Sequence, residues 1–277
     1  MPDEPPMTGL PIFGTKSFMQ QLRRAFLLCW FLAIGAASVF GADGGSVQQF
    51  NGWGMAQAQV QVAKRWWVVP ELQWRRYSGF SLPLQEAGLF PVEYRTGAWS
   101  LQAGYARWYT HPYGAFRTLA TQAENRTWLQ AGYQHPFGRF RMDHRFRLEQ
   151  RFLERYALES GEVVPLGYRY VGRARYRVRA MALLHGAAGK AGEWQAFLQQ
   201  EVMVRYGDAS FRGAFDQMRP AFHLGFRPVD DLQLTAGYQL QYLVRSNGSD
   251  AEWNHTFMVG VFWRLPLAER RTQQPTS

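Results

Sequence analysis

One stretch of the chain carries charge on alternate positions: Arg139, Arg141, Asp143, Arg145, Arg147, Glu149 and Arg151. A second row follows at Arg169, Arg173, Arg175, Arg177 and Arg179. Guanidinium groups stay charged at any accessible pH and present five donors each, so such rows support two kinds of chemistry. Interleaved with acids, including Glu71, Glu124 and Glu201 across a sheet, they form a ladder of ion pairs. In excess over acids they attract anions and make a selective constriction. Nucleic-acid binding is the usual meaning of a net charge of +10 and an isoelectric point near 10.0, but it needs a basic arm or exposed basic face. These arginines lie on alternating positions instead, so nucleic acid is not an expected partner.

Catalytic chemistry has thinner support. A nucleophile and base need an orienting carboxylate or amide beside them. The candidates are His255 beside Asn254, His223 near Asp216, and His144 between Asp143 and Arg145, and none has a serine two residues away on the same face. No catalytic residue is expected, and a lipid-modifying enzyme using His255 is the runner-up. His111, His135, His144, His185, His223 and His255 lack metal-ligand spacing, so no metal or cofactor is expected. The single cysteine, Cys29, excludes both a disulfide framework and a cysteine zinc site. Asn125-Arg-Thr127, Asn247-Gly-Ser249 and Asn254-His-Thr256 match the glycosylation triplet at a frequency chance supplies, and Asn247-Gly248 reads as turn chemistry.

The elements that position these residues have a period of two. Opposite the first charged row stand Phe140, Met142, His144, Phe146, Leu148, Gln150 and Phe152. Successive strand side chains point to opposite faces, so this is one strand with a charged and a mostly apolar face. Leu232, Leu234, Ala236, Tyr238, Leu240, Tyr242 and Val244 alternate with Gln233, Thr235, Gly237, Gln239 and Gln241 in the same way. So do segments around Ala56–Val62, Val68–Arg75, Trp99–Tyr105, Phe222–Phe226 and Thr256–Arg264. Gln-Ala-Gly-Tyr ends at Tyr105 and at Tyr133, and Thr-Ala-Gly-Tyr at Tyr238, an echo of one repeated element.

Link lengths add topology. Short links near Lys64, Arg95–Gly97, His135–Gly138 and Pro228–Asp231 mostly alternate with longer ones at Ser78–Glu86, Thr110–Ala123, Leu153–Leu166, Gly207–Ala214 and Ser246–Glu252. His185–Glu193 breaks the alternation. This is the pattern of a transmembrane barrel with tight turns at one end. Eleven strands from about Met55, with one more near Val47–Gly52, predict an all-β, single antiparallel transmembrane β-barrel of about twelve strands, with ten as the fallback. Trp66, Trp67, Tyr77, Trp108, Tyr109, Trp194, Tyr206, Tyr242, Trp253 and Trp263 fall at strand ends as interfacial girdles. The competing reading is a secreted soluble β protein. Aromatic residues at 16% against charged residues at 19% exclude a disordered chain.

Arg23 and Arg24 precede a short apolar core, Ala25–Val39, followed by small residues through Gly41 and Ala42, as in a secretory signal peptide. Residues 1–41 are read as that signal, with residues 1–18 an upstream extension and Met19 a candidate start. Residues 42–265 are read as the barrel and 266–277 as a polar tail, which places the mature chain in the outer membrane of a Gram-negative bacterium.

Several motifs carry a resemblance: Arg145-Phe-Arg-Leu-Glu-Gln-Arg151, Arg173-Ala-Arg-Tyr176, Phe215-Asp216-Gln217-Met218-Arg219, Gly237-Tyr-Gln239, and Asn254-His255 leading the last strand. On these the chain resembles the uncharacterised bacterial outer-membrane family called domain of unknown function 2490, over most of residues 50–265. Met218 stands where the family usually has Asn. The resemblance implies an outer-membrane barrel and supplies no activity. The expected role is therefore an outer-membrane barrel with an Arg-rich polar lumen, serving as a narrow channel for small anions or as an envelope structural protein, with outer-membrane lipids as its partners.

Overall fold

The computed structural model describes residues 45–266, apart from 116, 208–212 and 246. Residues 1–41, read from the sequence as a signal peptide, and the tail beyond Pro266 lie outside the described residues. The strands are β1 (Ser46–Ala63), β2 (Trp66–Val68), β3 (Glu71–Tyr77), β4 (Leu82–Thr96), β5 (Trp99–Thr110), β6 (Gln122–Phe137), β7 (Phe140–Glu159), β8 (Glu162–His185), β9 (Glu193–Tyr206), β10 (Phe215–Val229), β11 (Leu232–Val244) and β12 (Ala251–Leu265). They form one sheet that closes on itself through β1 and β12. Closure leaves no edge strand with unpaired backbone groups.

The twelve strands make eleven staves. β2 and β3 both pair with β1 and with β4, and are two halves of one stave broken at Val69–Pro70. Proline has no N–H to give the ladder, yet Ala58 N donates to Pro70 O and Val69 N donates to Pro91 O, both at 3.0 Å, so the wall stays sealed. With an odd number of staves the first and last strands run the same way. The closing pair is accordingly parallel, from Ser46↔Ala251 to Val60↔Leu265, while every other pair is antiparallel. The segment Val47–Gly52, expected as a separate first strand, is instead the start of β1.

Tight turns such as Lys64–Arg65, Gly97–Ala98 and Asp230–Asp231 gather at one rim together with the seven-residue link 186–192, and the other long links, among them 111–121, lie at the other rim. Two expected long links are shorter. Ser78–Ser81 is a four-residue turn, and β7 and β8 continue past the rim as a hairpin to Ser160–Gly161. Both residues of that turn have positive φ, 50° and 88°, which matches the twist of the strands and leaves glycine the natural occupant of the second position.

The two faces of the wall differ as the alternation requires. The outside carries Phe50, Leu129, Phe90, Phe146 and Phe257, with Phe50 65% and Leu129 64% exposed. Trp99 and Tyr109 mark the two ends of β5 on this face. At a strand rise of about 3.3 Å and a tilt near 40° the band between them is about 25 Å tall. Trp67 and Trp108, expected in the girdles, point inward and are 4% exposed. Trp108 shares its face with Ser100 and Gln102, and even spacing on a strand keeps it there.

Candidate functional site: an arginine-lined lumen

Strand register sets arginines directly opposite one another inside the barrel: Arg126↔Arg151, Arg145↔Arg177, Arg147↔Arg175 and Arg173↔Arg205. Like charges so placed repel, and five acids set between them compensate. Glu149, fully buried, is the central one. It accepts from Arg173 Nε at 2.7 Å and Arg175 Nη1 at 2.7 Å, with Arg147 and Arg126 at 3.7 and 3.8 Å. Glu201 takes Arg175 through both oxygens at 2.9 Å and is bonded to Arg145 as well. Glu124 binds Arg126 at 2.7 Å and Arg151 at 2.8 Å. Asp143 binds Arg141 and Arg179, each at 2.7 Å. Asp216 binds Arg205 at 3.0 Å and Arg173 at 3.3 Å.

Asp216 reaches the lumen because of a bulge. The register with β9 slips between Phe215 and Gln217, so Asp216 is the extra residue and both Asp216 and Gln217 turn inward. Phe215 and Met218 turn outward into an apolar cluster with Tyr242, Val244 and Ala251. This site for the motif's methionine is greasy and buried, and an asparagine there would need a partner. Arg219, also buried, donates to Gln217 Oε1 at 3.0 Å.

A row of stacked cations and indoles crosses the lumen from the opposite wall. The Arg75 guanidinium lies 3.8 Å from the Trp53 ring and 4.9 Å from Trp108; Arg219 stands 5.7 Å from Trp53, and Arg126 4.6 Å from Trp108. Arg147 sits over Trp128 at 4.8 Å. Trp128 itself lies over Gly104, where a side chain would collide with the indole. Indole faces attract guanidinium groups, so the stack narrows the lumen with residues that tolerate crowded cations.

The interior grades from packed to open. Toward the long-link rim Asn51, Glu124, Glu149, Arg173, Asp216 and Glu252 are buried. Tyr113, from the link 111–121, reaches across that rim to Arg245 and Glu252 at 3.5 and 3.4 Å. Toward the short-turn rim Arg141 and Arg179 are 29% exposed. Asn51, Tyr113, Arg141, Arg173, Arg179 and Asp216 are among the residues that line a cavity of about 760 Å³.

Not every residue of the two predicted rows joins this ladder. Arg141, Asp143, Arg145, Arg147, Glu149, Arg151, Arg173, Arg175 and Arg179 do. Arg139 falls in the turn before β7, exposed, where it donates to Leu184 O at 3.1 Å; the two-residue turn takes it out of the alternation. Arg169 stands opposite Leu153, half-buried near the projecting hairpin and apart from the cavity lining. Arg177 lines the cavity but, among the described residues, makes no ion pair. Arg75, Arg126, Arg205, Trp53 and Trp108 complete the site unannounced by any charged run, since no stave that carries one of them has a second inward arginine beside it.

The three histidine candidates occupy separate places. His255 faces outward, stacks on Phe50 at 5.0 Å and is bonded to Tyr238 Oη at 2.6 Å. Asn254, its neighbour in sequence, faces inward and accepts from Asn51 at 3.0 Å. His144 is outward against Tyr176 Oη at 2.8 Å, and His223 lines the lumen. Among the described residues no three His, Cys, Asp or Glu come together as metal ligands.

No curated protein and no solved structure matches the chain. A family model described as "Protein of unknown function (DUF2490)" matches residues 50–252, from β1 into the start of β12. A match over well over half of the chain places this protein in the DUF2490 family.

Proposed function

We propose that this is an outer-membrane β-barrel that admits small anions into and through its lumen, and that it is not an enzyme. One observation carries the anion reading. Among the described residues, fourteen arginines line this cavity against five acids (Glu71, Glu93, Asp143, Glu201 and Asp216), and the further buried acids Glu124, Glu149, Glu193 and Glu252 still leave the arginines in excess. Rings of fixed positive charge in a narrow passage favour anions over cations. The apolar outer band of about 25 Å supports immersion in lipid, since soluble proteins rarely expose so continuous a greasy surface. Lipids of the outer membrane are then its surroundings, with the short-turn rim facing the periplasm.

Planar bilayers test this. The purified barrel is expected to give discrete conductance steps, with a reversal potential in a KCl gradient that reports chloride preference. Arg177→Gln is expected to weaken that preference while leaving the steps intact. Silent bilayers, or a preference for potassium, would overturn the proposal.

A further inference from the structure

The lumen arginines differ in how fully their charge is met. Among the described residues, Arg75 and Arg219 make no ion pair but donate to Gln73, Gln85 and Gln217 and stack on Trp53, whereas Arg177 has neither an acid nor an amide nor an indole as partner. Arg177 lies directly across from Arg145 on β7 and from Glu201 on β9. Glu201 is its nearest acid by register, but both oxygens are taken: Oε1 by Arg145 and Arg175, Oε2 by Arg175. The next acid along the wall, Asp143, is divided between Arg141 and Arg179. Arg177 therefore stands between two saturated acids, with its Nε shut off from water and without a hydrogen-bond partner. Five guanidinium groups (Arg141, Arg145, Arg175, Arg177, Arg179) share the two acids. Their neighbours on β9 and β10, Gln199 and His223, bring no negative charge, and the cavity's acids on β3 and β4, Glu71 and Glu93, are bonded to Gln57 and Gln73 and to Arg95.

An unmet guanidinium in a confined site is costly, and a mobile anion removes that cost when it binds. From this we infer that the open half of the lumen holds a specific site for a doubly charged tetrahedral oxyanion, inorganic phosphate or the phosphate of a small ester, with Arg177 as its principal ligand and Arg145 and Arg179 beside it. A single chloride would use one or two of the available N–H groups. A phosphate dianion presents several acceptor oxygens to a planar fork and supplies two charges where the wall is short of them. Arg177 and Arg179 line the cavity, and the Arg179 side chain is 29% exposed, so the site is open to a ligand entering the lumen. The inference rests on the anion-admitting reading and narrows it to one ligand chemistry.

The test measures chloride current through the full-length barrel while inorganic phosphate, or glycerol phosphate in a parallel arm, is added at constant ionic strength. Phosphate is expected to reduce the current saturably. Arg177→Gln is expected to weaken half-saturation by about tenfold or more, the loss of one charge-assisted contact, with Arg177→Lys intermediate and Arg139→Gln, in the turn, unchanged. The arm that saturates at lower concentration identifies the free or the esterified form. A chloride-selective current that phosphate leaves linear would overturn the site and leave the anion reading standing. Equal phosphate effects on the wild type and on Arg177→Gln would overturn Arg177 as the ligand. Should Arg177→Gln fail to fold, radiolabelled phosphate binding to the detergent-folded wild type decides, and no saturable binding overturns the site.

Discussion

Glu149→Gln keeps the side chain's shape and removes one charge from the middle of the wall. Both carboxylate oxygens are in use, with bonds of 2.7 Å to Arg173 and to Arg175 and two more guanidinium groups within 3.8 Å. The side chain is fully buried, so water does not replace the lost charge. A glutamine accepts through one oxygen only, and its NH2 then points hydrogens at a guanidinium that can only donate. Breaking a buried pair from one side costs about 3–5 kcal/mol, and because two arginines lose a bonded acid here the upper half of that range applies. About 4 kcal/mol lowers the folded-to-unfolded ratio by about a thousandfold. Urea unfolding in lipid vesicles, followed by tryptophan fluorescence and by the gel shift on boiling, measures it. Arg139→Gln, at an exposed turn, is the control and is expected to stay within about 0.5 kcal/mol. A Glu149→Gln barrel within about 1 kcal/mol of wild type would refute the reasoning, because it would mean that the wall is wet enough to screen its charges.

Leu129→Arg separates a lipid-facing exterior from a water-facing one. Leu129 lies opposite Ala103, midway between Trp99 and Tyr109, so in a bilayer the change is expected to cost about 2–4 kcal/mol; in a soluble protein it would cost almost nothing, and vesicle unfolding distinguishes the two. Arg75→Ala removes the centre of the cross-lumen stack and is expected to raise single-channel conductance, so unchanged conductance would show that the narrowest level lies elsewhere. At the short-turn rim, the Ala191 N–H (2.8 Å) and the Lys190 ammonium (3.0 Å) hold the Asp230 carboxyl below its ordinary titration range. A depressed folded value means the tie is intact above the ordinary value of about 4 and is lost as pH falls through the folded one. Protection of the Ala191 amide, its exchange rate relative to an unstructured amide at the same pH, is expected to hold from neutral pH down to about 4 and to fall only below it.

Much of the architecture is written in period-two alternation, because each face of a closed sheet meets one environment and each substitution is held to it. That is why Arg141 through Arg151 and the Arg173–Arg179 row are legible as one wall. What alternation does not encode is number and closure. A proline break at Val69–Pro70 splits a stave without opening it, and a first strand of eighteen residues (Ser46–Ala63) absorbs a segment that reads as separate. Trp67 and Trp108 mislead for a different reason. Indoles near strand ends suggest a membrane interface, yet parity outranks residue type, and parity puts both inside. Asp216 is the converse case, since only a bulge, invisible in spacing, brings it to the same side as Gln217. Parity also separates His255 from Asn254, and His144 from Asp143 and Arg145, since consecutive residues on a strand stand on opposite sides of the wall.

Arg175 and Arg177 look equivalent on the sequence, two positions apart on the same face, and the surrounding acids make them different. Arg175 is bonded to Glu149 and Glu201 at once, at 2.7 and 2.9 Å, and joins two of the five acids of the wall. Arg177 is the residue those acids have no oxygen left to serve. Removing Arg175 exposes two buried carboxylates to an unbalanced site, so Arg175→Ala is expected to lower stability and reduce the yield of folded barrel. Any change in selectivity would then be mixed with misfolding. Removing Arg177 takes away charge that nothing in the wall neutralises, so the fold is expected to hold while anion preference falls. A pair of variants in which Arg175→Ala folds normally and Arg177→Gln does not would reverse this assignment, and would mean that the acids of this wall are shared more evenly than their bonds indicate.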